Sequence, residues 1–145
     1  MRALLQRVRQ ASVTVEDEVI ASIGPGLLVF LGVFPQDGNE QIDWLAQKTL
    51  DLRIFPDDQK PMNRSVVEVD GELLVVSQFT LAADVSRGRR PGFSAAAPPE
   101  QAEPLYEQFV QTLRGQWPRV QAGRFGADMQ VALVNDGPVT LLLER

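Results

Sequence analysis

The chain has 145 residues, 44% of them hydrophobic and 23% charged, which suits one soluble globular domain over residues 1–145. Cysteine and histidine are both absent. Their absence excludes disulfides, thiolate nucleophiles, cysteine-ligated zinc, serine–histidine triads and histidine-ligated metal hydrolases. The formal net charge of −5 argues against a surface that grips long stretches of nucleic acid. Basic residues gather locally, at Arg87-Gly88-Arg89-Arg90 and at Lys60 with Arg64. They read either as a small RNA contact or as solvated surface. A chain of this length buries about 68–70% of its unfolded surface, so folding requires no metal and no cofactor is expected. No signal-peptide core and no apolar run of membrane-spanning length is present, so a cytoplasmic protein with no membrane association is expected.

In chain order, Val13-Thr14-Val15 alternates, Glu16-Asp17-Glu18 forms a polar turn and Val19 to Ile23 resumes an extended pattern, so a hairpin opens the domain. Gly24-Pro25-Gly26 breaks the chain. Leu27 to Leu31 is a continuous apolar run, the signature of a central strand covered on both faces. Ile42, Leu45, Ala46, Thr49 and Leu50 share one face of a first helix, with Asp37 and Asn39 available as caps. Val66–Val69 and Leu73–Val76 flank Asp70-Gly71, a dipeptide that favours a tight hairpin. Residues 83–99 lack any period and predict a long ordered loop. Ala102, Leu105, Tyr106, Phe109, Val110 and Leu113 mark a second helix beginning near Pro98-Pro99. Pro104 should kink that helix or move its start. Met129–Val134 and Val139–Leu143 predict a closing pair of strands around Asn135-Asp136-Gly137-Pro138. The order β-β-β-α-β-β-α-β-β implies an α+β domain with a mainly antiparallel sheet and its helices on one face. Gly24-Pro25-Gly26 lacks the spacing of a dinucleotide-binding or phosphate-binding loop.

Two segments are chemically unusual for their positions. In Ser77-Gln78-Phe79-Thr80-Leu81-Ala82 an apolar strand runs directly into hydroxyl and amide side chains. These either terminate the strand through local hydrogen bonds or leave backbone amides free to form an oxyanion pocket, which needs no histidine. In Asn135-Asp136-Gly137-Pro138-Val139-Thr140 the residues suit an ordinary hairpin turn. The Gly137-Pro138 bond has the further option of being cis, which directs neighbouring carbonyls rigidly.

Together these segments resemble the two signature motifs of the D-aminoacyl-tRNA deacylases, and the resemblance runs over essentially the whole chain. Family-like stretches also occur at Leu4, Gln6-Arg7-Val8, Leu52-Arg53-Ile54-Phe55, Met62-Asn63-Arg64-Ser65-Val66, Arg90-Pro91-Gly92-Phe93 and Phe125-Gly126-Ala127-Asp128-Met129. The signatures show no departure. Arg87 stands where many relatives carry lysine, and Pro104 is unusual in the second helix. The resemblance implies a partly barrel-like sheet with two helices and a homodimer with shared sites. In it, a cis Gly137-Pro138 from one subunit reaches into the pocket of the other and rejects L-aminoacyl groups, while D-amino acids and glycine are accepted. It implies tRNA as partner, with Ser77, Gln78, Phe79 and Thr80 framing the ester, Met129 and Phe79 as apolar walls for the terminal adenosine, and Arg7 as a brace. Thr80 is a poor nucleophile without an adjacent base, and the ribose 2′-hydroxyl is the alternative activator of water. Residues 87–93 would form a tRNA-facing rim. Two other readings stand beside it: a non-catalytic RNA-end-binding module, and a small-molecule esterase using Thr80 or Ser77.

Overall fold

Residues 1–145 are described by a computed structural model. Alternation at the N-terminus builds a strand longer than the periodicity around Val13 suggested, β1 (Arg2–Val15), which pairs with β2 (Glu18–Ile23). Glu16 and Asp17 take positive φ of 50° and 64° in the turn between them, as the polar turn residues require. The N-terminal half of β1 runs antiparallel to β3 (Gly26–Gly32), while its other edge follows β6 (Gln130–Glu144) almost end to end. Ala3 and Leu5 point into one core and the even-numbered Val8 into a second on the opposite face, yet the odd-numbered Ala11, Val13 and Val15 join Val8 there. Arg9 is the cause. The register passes from Val8↔Asn135 to Gln10↔Val134 with Arg9 as an extra residue, and one extra residue transfers every following odd position to the other face.

The apolar run in β3 is central as expected. Leu27, Val29 and Leu31 join the larger core and Leu28 the smaller. Its next neighbour is β4 (Glu72–Ser77), which is parallel to it, and β4 is in turn parallel to the short strand β5 (Val120–Ala122). The sheet, ordered β2-β1-β3-β4-β5 with β6 on the free edge of β1, is therefore mixed rather than antiparallel throughout, and it curls around the smaller core. Helices α1 (Asn39–Asp51) and α2 (Pro99–Gln116) both contribute to the larger core. The buried residues of α1 are Ile42, Leu45, Ala46, Thr49 and Leu50, the face read from the sequence.

Four local expectations are corrected. First, no hairpin forms at Asp70-Gly71. Asp70 does take φ 55°, but residues 66–70 coil in turns, with Val69 N donating to Ser65 O at 3.2 Å and Gly71 N to Val66 O at 2.8 Å. The overlooked signal is Ser65-Val66-Val67-Glu68. Ser65 N donates to the Glu68 carboxylate at 2.6 Å and Glu68 N to Ser65 Oγ at 3.2 Å, a capping box that favours helical turns over a strand. Second, α1 is capped by neither Asp37 nor Asn39. Gly38 is the N-cap, its N–H donating to Gln41 Oε1 at 2.9 Å, and Asp37 instead accepts from Phe34 N and from the Met1 ammonium.

Third, of the two options for Pro104, the moved start is ruled out, because α2 begins at Pro99 and contains it. The donor it lacks would have served the carbonyl of Glu100, and both residues are exposed, so that carbonyl is left open to solvent and not buried unpaired. Fourth, Asn135-Asp136-Gly137-Pro138 is not a hairpin turn between two strands, because β6 continues in one direction through it. The register passes from Val8↔Asn135 to Gln6↔Thr140, so residues 136–139 bulge outward opposite Arg7 alone. Asn135 closes the bulge, its Oδ1 accepting from Val139 N at 2.9 Å and its Nδ2 donating to Thr140 Oγ1 at 2.9 Å. Side-chain hydrogen bonds thus satisfy the displaced backbone without reversing the chain.

Candidate active site

Because β3 and β4 are parallel, their carboxyl ends emerge on the same side of the sheet, and the chain leaving β4 closes one wall of a cleft there. The peptide beyond Ser77 crosses to β3, Gln78 N donating to Leu31 O at 2.8 Å, and then tightens into a 3-10 turn over Phe79–Ala82. Gly32 makes this close approach possible. A Cβ built there would stand 3.0 Å from Leu81 Cβ and 3.2 Å from Gln78 O. Arg2 holds the far end of the turn, Nη1 donating to Leu81 O at 2.5 Å.

The cleft has a volume of about 600 Å³ and is mostly apolar. Ser77, Gln78 and Phe79 form one wall, Phe93 and the start of α2 another, and Phe125 with Met129 the floor. No Asp, Glu, Lys or Arg lines it. The available polar groups are therefore a hydroxyl, a carboxamide and backbone amides. Those of Phe79 and Thr80 precede the first hydrogen bond of the turn, Leu81 N to Gln78 O at 3.2 Å, and so have no partner within it. Phe79 is 54% exposed and meets Phe93 edge-on with ring centroids 5.0 Å apart. An aromatic surface left that open is a stacking platform for a planar ligand.

Tyr106 ties β4 to the residue that follows β5, its hydroxyl donating to Val75 O at 3.0 Å with Gly123 O at 3.4 Å. Burial pushes its pKa up to about 12, so it stays neutral and structural. Gly123 has the same permissive role for Met129 that Gly32 has for the 3-10 turn, since a Cβ there would lie 2.8 Å from Met129 Sδ.

The sequence-selected residues fall into three places. Ser77, Gln78, Phe79 and Met129 converge on the cleft. Thr80 sits at its edge, exposed and outside the lining, its Oγ1 accepting from Gln78 Nε2 at 2.5 Å. Arg7, Gly137 and Pro138 are elsewhere. Arg7 is buried under the β6 bulge, Nε donating to Asp136 O at 2.9 Å and Nη1 to Ile54 O at 2.5 Å. Gly137 and Pro138, joined by a cis bond, project from the bulge into solvent. Phe93 was expected only at the end of a tRNA-facing rim, and the cleft walls contributed by Phe125 and α2 were not singled out as site residues. Their only trace in sequence was the family-like Arg90-Pro91-Gly92-Phe93 and Phe125-Gly126-Ala127-Asp128-Met129. No grouping of Asp and Glu side chains suits a metal ion.

Alanine at Gly32 is expected to displace Gln78 and Leu81 by a few tenths of an ångström and to lower kcat/KM about 10-fold or more, since sub-ångström misplacement is costly in catalysis. Alanine at Gly115, where nothing lies within 4 Å of the added Cβ, should leave turnover unchanged. Steady-state kinetics on both variants, with a thermal melt to confirm folding, checks this pair. Equal activity of the two would show that the 3-10 turn is not part of the site.

The family model described as D-Tyr-tRNA(Tyr) deacylase matches residues 4–144. A D-aminoacyl-tRNA deacylase of Exiguobacterium sp. is 56% identical over 145 residues, covering 100% of this chain and 99% of that protein. The corresponding protein of Prosthecochloris aestuarii is 59% identical over 145 residues, with 99% of each covered. Among solved structures, the c-Myc DNA unwinding element binding protein superposes with a TM-score of 0.94 at 43% identity, covering 100% of this chain and 99% of that one. A probable eukaryotic D-amino acid tRNA deacylase shares the fold at 20% identity and a TM-score of 0.86, covering 98% of this chain and 97% of that one. With a model match over residues 4–144 and relatives 56% and 59% identical along the chain, the chain belongs to the D-Tyr-tRNA(Tyr) deacylase family.

Proposed function

We propose that this chain is an editing hydrolase of the cytoplasm. It cuts the ester between a D-amino acid, or glycine, and the 3′-terminal adenosine of tRNA, and it works as a homodimer. The observation that carries the reading is the cleft itself, apolar and free of ionisable side chains, with two unpartnered amides where the chain leaves β4. Phe79 and Met129 supply flat and pliable apolar surface for the adenine ring. The amides of Phe79 and Thr80 are the donors for the oxyanion formed when water adds to the ester carbonyl; one such donor contributes about 3–4 kcal/mol to related acyl transfers. Collapse of that intermediate expels the ribose 3′-oxygen, which takes up the proton lost by the water. Free amino acid and a tRNA with a free 3′-hydroxyl result.

Thr80 is a weak candidate for nucleophile. Its hydroxyl oxygen already accepts from Gln78, and no carboxylate or amine lines the cleft to remove its proton. The ribose 2′-hydroxyl beside the ester is better placed to orient water. Thr80→Val is therefore expected to reduce hydrolysis of a D-aminoacyl-tRNA by less than about 10-fold, whereas a substrate ending in 2′-deoxyadenosine should lose about 100-fold or more. Single-turnover rates with both substrates distinguish the possibilities. An esterase built on Thr80 would lose activity only with the first change, and an RNA-end-binding module would release no amino acid at all.

The homodimer is supported by β6, a long strand whose outer edge pairs with nothing. Val134 and Leu142 on it are 44% and 55% exposed. Open edges of this length are ordinarily covered or paired. Gly137 and Pro138 lie on the same strand and do not line their own chain's cleft, so their role as a chirality gate is exercised on the partner copy.

A further inference from the structure

The loop beside the cleft carries charge that ester hydrolysis does not use. Asp84 and Gly92 exchange two backbone hydrogen bonds of 2.8 Å each, which ties together the ends of the segment 85–91. The loop is anchored to the site by the next residue, Phe93, whose ring lies against Phe79 in the cleft wall. Between those ends stand Arg87, Arg89 and Arg90, all exposed, and none of them forms an ion pair. Of the other arginines, Arg2, Arg7, Arg9, Arg119 and Arg145 are each paired with a carboxylate, Arg53, Arg64 and Arg114 donate to main-chain carbonyls, and Arg124 stands alone, so only this loop gathers three free guanidinium groups. Gly88, at φ 70° with open space around it, turns the loop between the first two free guanidinium groups. The one acid of the loop, Asp84, is at its base, with Oδ1 accepting from Ser86 N at 2.9 Å. Three uncompensated cations crowded on one loop of a chain with net charge −5 repel each other and gain nothing internally, which marks an anionic partner. The partner must pass close to the cleft, because Arg90 is three residues from Phe93 and so within about 11 Å of it along the chain.

We propose that Arg87, Arg89 and Arg90 form a phosphate-binding rim that holds the sugar–phosphate backbone of the RNA acceptor end while its terminal adenosine occupies the cleft. This deepens the hydrolase reading and rests on it. Guanidinium forks match phosphate oxygens, and backbone contacts position a substrate without reading its bases. The arginines therefore act on capture of the whole RNA and not on the ester.

The test compares the unmodified protein, the triple variant Arg87→Ser/Arg89→Ser/Arg90→Ser and the triple lysine variant at the same positions. Binding of uncharged tRNA and hydrolysis of D-aminoacyl-tRNA are measured across a salt series, alongside hydrolysis of the short substrate 3′-D-aminoacyl-adenosine. The serine variant is expected to raise Kd and KM for tRNA about 10- to 100-fold near 0.1 M salt and to flatten the log–log salt slope by about 2, while the lysine variant largely restores both. Turnover of the adenosine ester, which carries no phosphate, should be unchanged in every variant. Unaltered tRNA affinity and salt slope in the serine variant would overturn the proposal, as would an equal loss on both substrates, which would place the loop's effect in the cleft wall. Failure of the unmodified protein to release the amino acid from D-aminoacyl-tRNA overturns the hydrolase reading. The tRNA-binding arm, which needs no catalysis, shows separately whether the arginines themselves failed.

Discussion

Alanine at Gly26 is expected to cost about 3–5 kcal/mol of folding stability, a large share of the 5–15 kcal/mol typical of a domain. Gly26 opposes Glu72 where the parallel pair β3 and β4 begins. An added Cβ would lie 1.9 Å from Glu72 O, 2.6 Å from Glu72 N and 2.7 Å from its carbonyl carbon, all main-chain atoms. Glu72 has no room to retreat. Its N–H donates to Pro25 O at 3.0 Å, its carboxylate accepts from Gly24 N at 2.6 Å and Arg119 Nη2 at 2.9 Å, and the next residue is bonded to Arg119 O at 2.9 Å. Relief of the overlap must separate β3 from β4, and β4 is the strand that delivers Ser77 and Gln78 to the cleft. Urea unfolding of Gly26→Ala beside the Gly115→Ala control measures the effect, and midpoints that agree within error would show that the two strands are not packed as described.

The second large effect concerns selectivity. Gly137→Ala should raise hydrolysis of L-charged tRNA relative to the D-charged form about 100-fold, because rejection by a rigid obstacle discriminates more sharply than attraction, and it is lost when the obstacle moves. Gly137 has φ 135°, a conformation that L side chains rarely adopt. Its new Cβ would approach Val139 Cγ2 at 2.8 Å, Arg7 Nη2 at 3.0 Å and Val139 N at 3.1 Å. Arg7 is pinned by the carbonyls of Ile54 and Asp136, so the bulge over residues 136–139 has to shift. The same tRNA charged separately with D- and L-tyrosine, at matched low enzyme concentration, gives the ratio. Sedimentation of the unmodified protein and of the variant shows whether the proposed dimer forms and persists. An unchanged ratio in a variant that sediments like the unmodified protein would overturn the proposed gate role of Gly137.

How much of this was legible in the sequence depends on the range of the interaction responsible. The buried face of α1 was read residue by residue because helical periodicity is a property of neighbours three and four apart. Leu27–Leu31 was recognised as a doubly covered strand for a similar reason, its composition alone indicating two buried faces. Asp70-Gly71 misled because a tight-turn signal does not say what precedes the turn, and the capping box at Ser65 and Glu68 outweighed it. At Asn135-Asp136-Gly137-Pro138 the local residues favour reversal, but Arg7, far away in sequence, and Asn135 satisfy the bulged backbone from below, so the strand continues.

By itself the sequence determined the absence of histidine and cysteine chemistry, both helices, the central strand, and the two motifs at Ser77–Ala82 and Asn135–Thr140. These rest on composition, short-range periodicity and residue identity, which require no knowledge of partners. Only the tertiary structure decided that β3, β4 and β5 run parallel, that one extra residue at Arg9 exchanges the two cores, and that Phe93, Phe125 and Met129 meet Ser77 around one cleft. It also decided that Gly137 and Pro138 are exposed and do not line that cleft. Strand partners, register and convergence depend on which distant segments exclude water together, and a turn or strand propensity at one position carries no record of the surface it will be packed against.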